Sequence, residues 1–264
     1  MIDQTSLGMP PSGLRGKIAI VTGVSYRRGI GAAVCRVFAD CGVDILFTHW
    51  RAYDRQVAGG AEEQGPELIE HELRERGARA TGLESDLALP ESPARVLEAA
   101  VESLGTPSIL VNNATHWSGG GINDIDAAML DAHHAVNVRG MALLCKEFVC
   151  RYGGGTGGRI INLSSGQAVA PMPQELAYAT TKGAVEAFTI SLAAEVAARG
   201  ITVNAVDPGG TDTNWMTDSL RADIAKQMGM DRVGQPEDAA RIIAFLASDA
   251  GEWITGQVIH SRGA

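Results

Sequence analysis

The sequence predicts an α/β fold: a single domain built on a doubly wound parallel β-sheet of about seven strands, with helices on both faces. Two observations predict it. Short, nearly continuous apolar runs alternate along the chain with longer stretches of helical periodicity, and parallel strands covered on both faces have that apolar character. A hydrophobic content of 45% in 264 residues is enough for one substantial core. No repeat or low-complexity linker divides the chain.

Seven strands are predicted from the apolar runs, beginning at Lys17, Val43, Ala78, Ser108, Gly158, Ile201 and Gln257. Helical patterns lie between them, near 30–41, 67–77, 91–104, 126–152, 177–199 and 236–248. Residues 1–13 are predicted to form a loose N-terminal arm, and 14–264 the single domain. Two long connections, 51–66 and 208–235, leave the regular alternation. Because such excursions often serve as lids, the second is the predicted substrate lid.

Composition and charge disfavour several classes of protein. The chain has 22 basic and 31 acidic residues, and the net charge of −9 disfavours nucleic-acid binding. Neither a secretory signal nor an apolar run long enough to span a membrane is found in the sequence, so we expect a cytoplasmic protein with no membrane partner. The four cysteines lack metal-ligand spacing and are predicted to be reduced packing residues, without a metal site.

A glycine-rich turn, TGVSYRRGIG from Thr22 to Gly31, follows the first predicted strand and opens the first helix. Glycine permits a tight turn and a close approach to a pyrophosphate, whose charge then lies at the helix N-terminus. The turn therefore predicts a dinucleotide site, although a plain strand–helix turn can have the same pattern.

The residues after the second predicted strand indicate which dinucleotide is bound. This strand ends FTHWR, without the acid that commonly binds the adenine ribose of NAD. Arg51 follows the strand, and Arg27 and Arg28 lie in the glycine-rich turn. Because arginine attracts a 2′-phosphate that an acid would repel, NADP(H) is the preferred cofactor. NAD(H) is the alternative if these arginines are only solvated loop charges.

Tyr178 and Lys182 lie four residues apart on a predicted helix, which places both side chains on one face. A tyrosine can donate a proton to a carbonyl oxygen as hydride arrives, but its ordinary pKa of about 10 is too high for a base near neutral pH. We expect the neighbouring ammonium, together with the charge of an oxidised nicotinamide, to lower that pKa. Ser165 ends a predicted strand thirteen residues before Tyr178, where its hydroxyl could hold the substrate oxygen.

An isolated Tyr and Lys pair at this spacing is usually an accident of surface sequence, so other motifs decide its meaning. The chain carries, in order, TG-x5-G-x-G, NNA, NVRG, Ser165, YATTK, DPGGTDT and RVGQPEDAARIIAFLAS followed by ITGQ. From Lys17 to the C-terminus it resembles the short-chain dehydrogenase/reductase (SDR) family, and within it the 3-oxoacyl-[acyl-carrier-protein] reductase branch. The resemblance implies a Rossmann fold, NAD(P)-dependent chemistry at a CH–OH group and a homotetramer.

Residue roles follow from that resemblance. Tyr178 would be the general acid/base, and Lys182 would bind the nicotinamide ribose and lower the pKa of Tyr178. Ser165, rather than Ser164, would bind the substrate oxygen, and Asn137 would hold a water in a proton relay through Lys182. The predicted cofactor contacts besides Tyr178 and Lys182 are Gly23, Ser25, Arg28, Gly29, Ile30, Gly31, Arg51, Asp86, Leu87, Asn113, Ala114, Pro208, Gly209, Thr211 and Thr213.

Departures from the family pattern leave the substrate open. The glycine-rich turn is two residues longer than the common form, Thr115 replaces a glycine, and the tail reads HSRGA. Candidate substrate contacts, in the lid or after strand ends, are His116, Trp117, Gln167, Met172, Trp215 and Met216.

Several activities agree with these motifs. A substrate on an acyl-carrier protein, with a role in fatty acid biosynthesis, would need a basic surface, for which Arg139 and Arg151 are candidates. Small ketones, sugars and steroids are the alternatives. An enoyl reductase usually has a wider Tyr–Lys spacing, and a non-catalytic dinucleotide sensor would not need all four catalytic groups. Small and apolar residues on helices 126–152 and 177–199 predict pairing across a two-fold axis.

Overall fold

The computed structural model describes residues 11–57, 60–155, 157–213, 216–227 and 229–263. Residues 1–10 of the predicted N-terminal arm lie outside this part of the chain. The last residues of the predicted arm are attached to the domain, because the N–H of Asp249 donates to the carbonyl of Ser12 at 3.1 Å.

The seven predicted strands are confirmed, and they form one parallel sheet. They are β1 (Ile18–Val21), β2 (Asp44–His49), β3 (Ala80–Glu84), β4 (Ile109–Asn112), β5 (Gly158–Leu163), β6 (Ile201–Asp207) and β7 (Val258–His260). The strand order is β3-β2-β1-β4-β5-β6-β7, and every neighbouring pair is parallel. The order reverses between β1 and β4, which is the switch point where ligands of doubly wound sheets bind.

Helices cover both faces of the sheet. They are α1 (Ile30–Asp40), α2 (Arg51–Asp54), α3 (Gly65–Glu75), α4 (Ser92–Ser103), α5 (Ala127–His134), α6 (Met141–Arg151), α7 (Leu176–Val196), α8 (Asp218–Gln227) and α9 (Pro236–Ala247). Apart from the short α2 and from α8, which lies in the 208–235 connection, each overlaps a segment whose sequence predicts helix. None of the helices in the described ranges has the length and apolar character needed to cross a membrane.

The core consists of two apolar layers, one on each side of the sheet. Ile20 of β1 packs in the layer that contains Leu97 of α4, whereas its neighbours Ala19 and Val21 pack in the layer that contains Phe38 of α1. Successive side chains of a strand point to opposite faces, and here both faces are covered. This is why the strands read as continuous apolar runs rather than as alternating ones.

The predicted helix 126–152 is not regular throughout, which corrects the sequence prediction. A π-helical segment, Ala135–Gly140, joins α5 to α6 and carries Asn137. Such segments contain an extra residue per turn and occur frequently at functional sites. The apolar periodicity does not reveal the segment because the chain remains helical on both sides of it.

Candidate active site

A cleft of about 510 Å³ opens at the carboxyl ends of the strands, at the switch point of the sheet. This is the size of a small-molecule or cofactor site. The predicted cofactor contacts that line it are Gly23, Ser25, Gly29, Ile30, Asp86, Leu87, Asn113, Ala114 and Thr213. Residues predicted from separate motifs therefore meet in one cleft.

The glycine-rich turn is held in shape by Asn113. The side-chain Nδ2 of Asn113 donates to the carbonyl oxygens of Thr22 and Gly23, each at 2.9 Å. Gly23 has a φ of +72°, and a Cβ there would lie 2.6 Å from the Cα of Ala114. A Cβ on Gly31 would lie 2.9 Å from Nδ2 of Asn113. Both positions therefore need glycine, and Asn113 acts on the cleft by fixing its floor.

Two observations indicate that the cleft fits a dinucleotide. Helix α1 begins with no side-chain cap and no acidic residue in its first turn, so the N–H groups of that turn present partial positive charge to a diphosphate. His49 lines the cleft and is 6% exposed, and its Nδ1 has no hydrogen-bond partner among the described residues. A polar ligand would satisfy this buried atom.

Arg51 and Arg27 are compensated by glutamates, which the sequence analysis did not foresee. The Arg51 guanidinium contacts Glu67, and its Nη1 lies 3.0 Å from Oε2 of Glu84. Arg27 pairs with Glu62 at 3.2 Å. A 2′-phosphate would therefore compete with carboxylates for these guanidinium groups. The glutamates lie in segments that the strand-end pattern does not connect with the arginines. Arg28 is exposed.

Among the cleft residues that the sequence analysis missed, two lie on α2. Tyr53 and Asp54 belong to α2, at the start of the 51–66 connection, and both line the cleft. Asp54 is 6% exposed and lies close to the Ser25 side chain. Burial is the main cause that raises the pKa of Asp54, and the Ser25 hydroxyl opposes it. The signal in the sequence was the unusual length of this connection.

Tyr178 and Lys182 share one face at the start of α7, as their spacing predicts. The Lys182 Nζ lies 5.4 Å from the centroid of the Tyr178 ring and donates to the main-chain carbonyl of Leu163 at 2.7 Å. Burial lowers the pKa of Lys182 to about 8. The amine is therefore still charged at neutral pH, but it gives up its proton more readily than an exposed lysine does.

The pKa of Tyr178 is raised to about 12, opposite to the expected lowering. Removal from water is the largest cause; the carboxylates of Glu175 and Asp207 also raise it, and the hydroxyls of Ser165 and Thr115 oppose the rise as hydrogen-bonding groups. The residues of the chain therefore keep this phenol protonated. The expected lowering therefore depends on the positive charge of an oxidised nicotinamide.

The two serines at the end of β5 have different partners. The Ser165 hydroxyl interacts with the Tyr178 hydroxyl. The Ser164 hydroxyl instead donates to Oε1 of Glu186 at 2.6 Å and accepts from the Gln167 amide at 3.3 Å. Ser165 is therefore the serine placed beside Tyr178, as its spacing in the sequence predicts.

The Asn137 side chain is fully engaged inside the protein. Its Oδ1 accepts from Thr115 Oγ1 at 3.1 Å and from the His116 N–H at 2.7 Å. Its Nδ2 donates to the His116 carbonyl at 2.9 Å and to Thr181 Oγ1 at 3.0 Å. An amide makes four hydrogen bonds at most in this manner. The Asn137 side chain therefore has no hydrogen-bonding capacity left for the expected relay water.

The predicted contacts after β6 form a turn that is held by internal hydrogen bonds. The Gly209 N–H donates to Oδ1 of Asp207 at 2.9 Å, and Thr211 Oγ1 donates to the Pro208 carbonyl at 2.8 Å. Thr213, which follows this turn, lines the cleft.

The candidate substrate contacts and basic residues are dispersed. His116 lines the cleft, Trp117 is 47% exposed, Met172 is partly exposed and Met216 is buried; Trp215 lies outside the described residues. Arg139 is exposed and donates to the carbonyl of Ala88, which lines the cleft. Arg151 pairs with Glu98 and Glu147 at the far end of α6 and adds no uncompensated charge near the cleft.

Comparison with known proteins identifies the family. A family model described as enoyl-(acyl carrier protein) reductase matches residues 23–263. The uncharacterised oxidoreductase YjdA of Bacillus subtilis (strain 168) is 47% identical over 249 residues, which cover 94% of this chain and 96% of YjdA.

Two solved structures are similar over nearly their whole length. One, a short chain dehydrogenase from Burkholderia cenocepacia J2315 in complex with NADP, has a TM-score of 0.85 and 31% identity, with 95% of this chain and 98% of that chain covered. The other, the promiscuous reductase LugOII, which catalyses keto-reduction at C1 during lugdunomycin biosynthesis, has a TM-score of 0.85 and 32% identity, with 96% and 98% covered. The chain belongs to the short-chain dehydrogenase/reductase family of NAD(P)-dependent oxidoreductases.

Proposed function

We propose that this protein is an NADPH-dependent carbonyl reductase that converts a ketone or aldehyde to an alcohol, or runs the reverse reaction, with Tyr178 as the general acid/base. One observation carries the proposal. The Tyr178 phenol interacts with the hydroxyls of Ser165 and Thr115, and Thr115 lines the dinucleotide cleft. The buried amine of Lys182 lies one helical turn away from Tyr178.

The chain supplies the groups that a carbonyl reduction needs besides hydride, which bound NADPH provides. The Ser165 and Tyr178 hydroxyls hold the carbonyl oxygen, and Tyr178 transfers its proton to that oxygen as negative charge develops. A phenol with a pKa of about 12 is fully protonated at neutral pH and is ready to donate. The Lys182 ammonium then faces the phenolate and stabilises it.

Ketone reduction is favoured over enoyl reduction by the Tyr178–Lys182 geometry. The family model that matches is described as an enoyl reductase, but enoyl reductases of this fold usually have a wider Tyr–Lys spacing. The similar reductase LugOII catalyses keto-reduction, which agrees with the four-residue spacing in this chain. A 3-oxoacyl thioester remains within the proposed substrate class, with Arg139, which donates to the carbonyl of the cleft residue Ala88, as a candidate basic contact.

The proposal is tested with purified protein, NADPH and a panel of β-keto esters, diketones, aldehydes and enoyl thioesters, following the loss of NADPH absorbance. We expect turnover with ketones or aldehydes and none with enoyl thioesters. Turnover confined to enoyl thioesters, or binding of NADPH without turnover of any carbonyl, would overturn it.

The preference for NADPH is proposed to depend on Arg51. Its position after β2 and the NADP complex of the similar Burkholderia structure support this role. Arg51→Ala should lower kcat/KM for NADPH by about tenfold to hundredfold, the effect of losing a hydrogen bond to a charged group, and leave kcat/KM for NADH nearly unchanged. Arg55→Ala is the matched control, because Arg55 pairs with Glu63 on the exposed surface. Equal losses with both cofactors would contradict the assignment.

We propose a homotetramer in the cytoplasm. Apolar side chains at the surface of the long helices support assembly: Ile190 of α7 is 54% exposed and Leu130 of α5 is 40% exposed. The four free cysteines fit a reducing compartment. Light scattering that gave a monomer would contradict the assembly.

A further inference from the structure

Tyr53 connects two walls of the cleft. It lies on α2, which follows β2, and its hydroxyl meets the backbone of Trp117 in the loop after β4. The Tyr53 hydroxyl accepts from the Trp117 N–H at 2.8 Å and donates to the Trp117 carbonyl at 3.2 Å. One side chain of the long 51–66 connection therefore binds both main-chain polar groups of a residue from a different part of the chain.

The strand order determines where this connection passes. In the sheet, β1 lies between β2 and β4, so the segments that follow those two strands start about 10 Å apart. The glycine-rich turn follows β1 and lies between them. A bond from α2 to Trp117 consequently crosses above the end of β1. Tyr53 and His116 line the same cleft as Gly23 and Gly29. The glycine-rich turn forms the floor of this cleft, and Tyr53 and His116 form the opposite wall, its roof.

The far side of this roof is firmly anchored. The Tyr53 ring packs on the His116 ring, with centroids 5.2 Å apart, and His116 packs edge-on against His133 at 4.7 Å. His133 is fully buried; its Nδ1 donates to the Met129 carbonyl at 2.8 Å, and its Nε2 accepts from the Ser118 N–H at 3.1 Å. The loop after β4 is therefore fixed to α5, and the Tyr53 hydroxyl joins α2 to this anchored loop.

We propose that the Tyr53 hydroxyl is a latch that closes the cleft over the dinucleotide and sets how long the cofactor stays bound. The inference rests on the proposed position of the dinucleotide in this cleft. A cofactor lying on the glycine-rich turn is covered by the Tyr53–Trp117 bridge, so it leaves when that bridge opens. Trp117 is half exposed, so water replaces the two hydrogen bonds in the open state.

The test is the rate at which NADPH leaves the full-length protein, measured by stopped-flow fluorescence after addition of excess NADP⁺. Tyr53→Phe keeps the ring on His116 and removes both hydrogen bonds. We expect its NADPH dissociation rate to rise by about tenfold, the net effect of losing one or two neutral hydrogen bonds, and its Tm to fall by only about 2–4 °C. Tyr152→Phe is the matched control, because the Tyr152 ring stacks on Phe148 at the end of α6.

The outcomes separate the latch from a structural role and from the proposed cofactor site. A dissociation rate for Tyr53→Phe within about twofold of the parent, well below the expected effect, would overturn the latch. A lowered Tm with the same dissociation rate would mean that Tyr53 only stabilises the fold, and would also overturn it. Gly23→Val tests the site itself: if that folded variant binds NADPH as the parent does, the position of the dinucleotide is wrong, whatever the result for Tyr53.

Discussion

Replacing Tyr178 by phenylalanine is expected to lower kcat by about 10³-fold, within the range that general acid–base catalysis contributes. The substitution removes the hydroxyl that donates the proton and leaves the ring beside Lys182. The Kd for NADPH, measured by fluorescence titration, should stay nearly unchanged, because the phenol contributes to the reaction more than to cofactor binding. The variant thus separates chemistry from binding.

The control for this experiment is Ser164→Ala, which removes the neighbouring hydroxyl that is bound to Glu186. It should retain most of the turnover, whereas Ser165→Ala should lose a large part of it. A Tyr178→Phe protein with the turnover of the parent would refute the assignment of the proton donor.

Lys182→Met is expected to remove most of the turnover and to change its pH dependence. The parent needs the charged amine to stabilise the phenolate, so its kcat for reduction should fall as pH rises through about 8, the pKa of Lys182. The methionine variant should have a low kcat without this decline. Rates at several pH values, with saturating NADPH and ketone, measure the difference. A decline of equal size in the variant would show that another group titrates.

The same substitution should not destabilise the protein at pH 7. Burial lowers the pKa of Lys182 from 10.5 to about 8, so between these values the unfolded chain binds more protons, and the free energy of unfolding rises with pH. At pH 7 the full cost of burying the charge is present, on the order of 3 kcal/mol. Methionine removes that cost but leaves the Leu163 carbonyl without its donor. We therefore expect a Tm at or above that of the parent; a clear decrease would contradict the expected cost.

The sheet and most helices could be predicted because their signal is local. Continuous apolar runs such as Ile18–Val21 follow from burial on both faces, and the Tyr178–Lys182 spacing fixes a shared helix face. The ends of the strands in turn predict which residues meet in the cleft. These parts of the fold depend on residues that are close in the sequence or on the general topology of doubly wound sheets.

The parts that could not be predicted depend on contacts between distant segments. The carboxylates around Arg51 come from α3 and β3, so the strand-end sequence FTHWR does not reveal them. The raised pKa of Tyr178 reflects burial and the carboxylate of Asp207, which no helix spacing shows. Tyr53 and Asp54 were missed because a four-residue helix has too little periodicity to be recognised.

The π-helical segment Ala135–Gly140 holds one residue more than an α-helix needs for the same rotation. Each residue of an α-helix advances the direction of its side chains by about 100°. Deleting one residue would turn this segment into ordinary α-helix that rotates through nearly the same total angle, so Leu144 and Phe148 would still face the sheet that they cover. The deletion would act on Asn137 instead, because the wider turn places its amide against His116 and Thr181. A one-residue deletion here should therefore leave the hydrophobic face of α6 intact and remove the contact of Asn137 with the loop after β4.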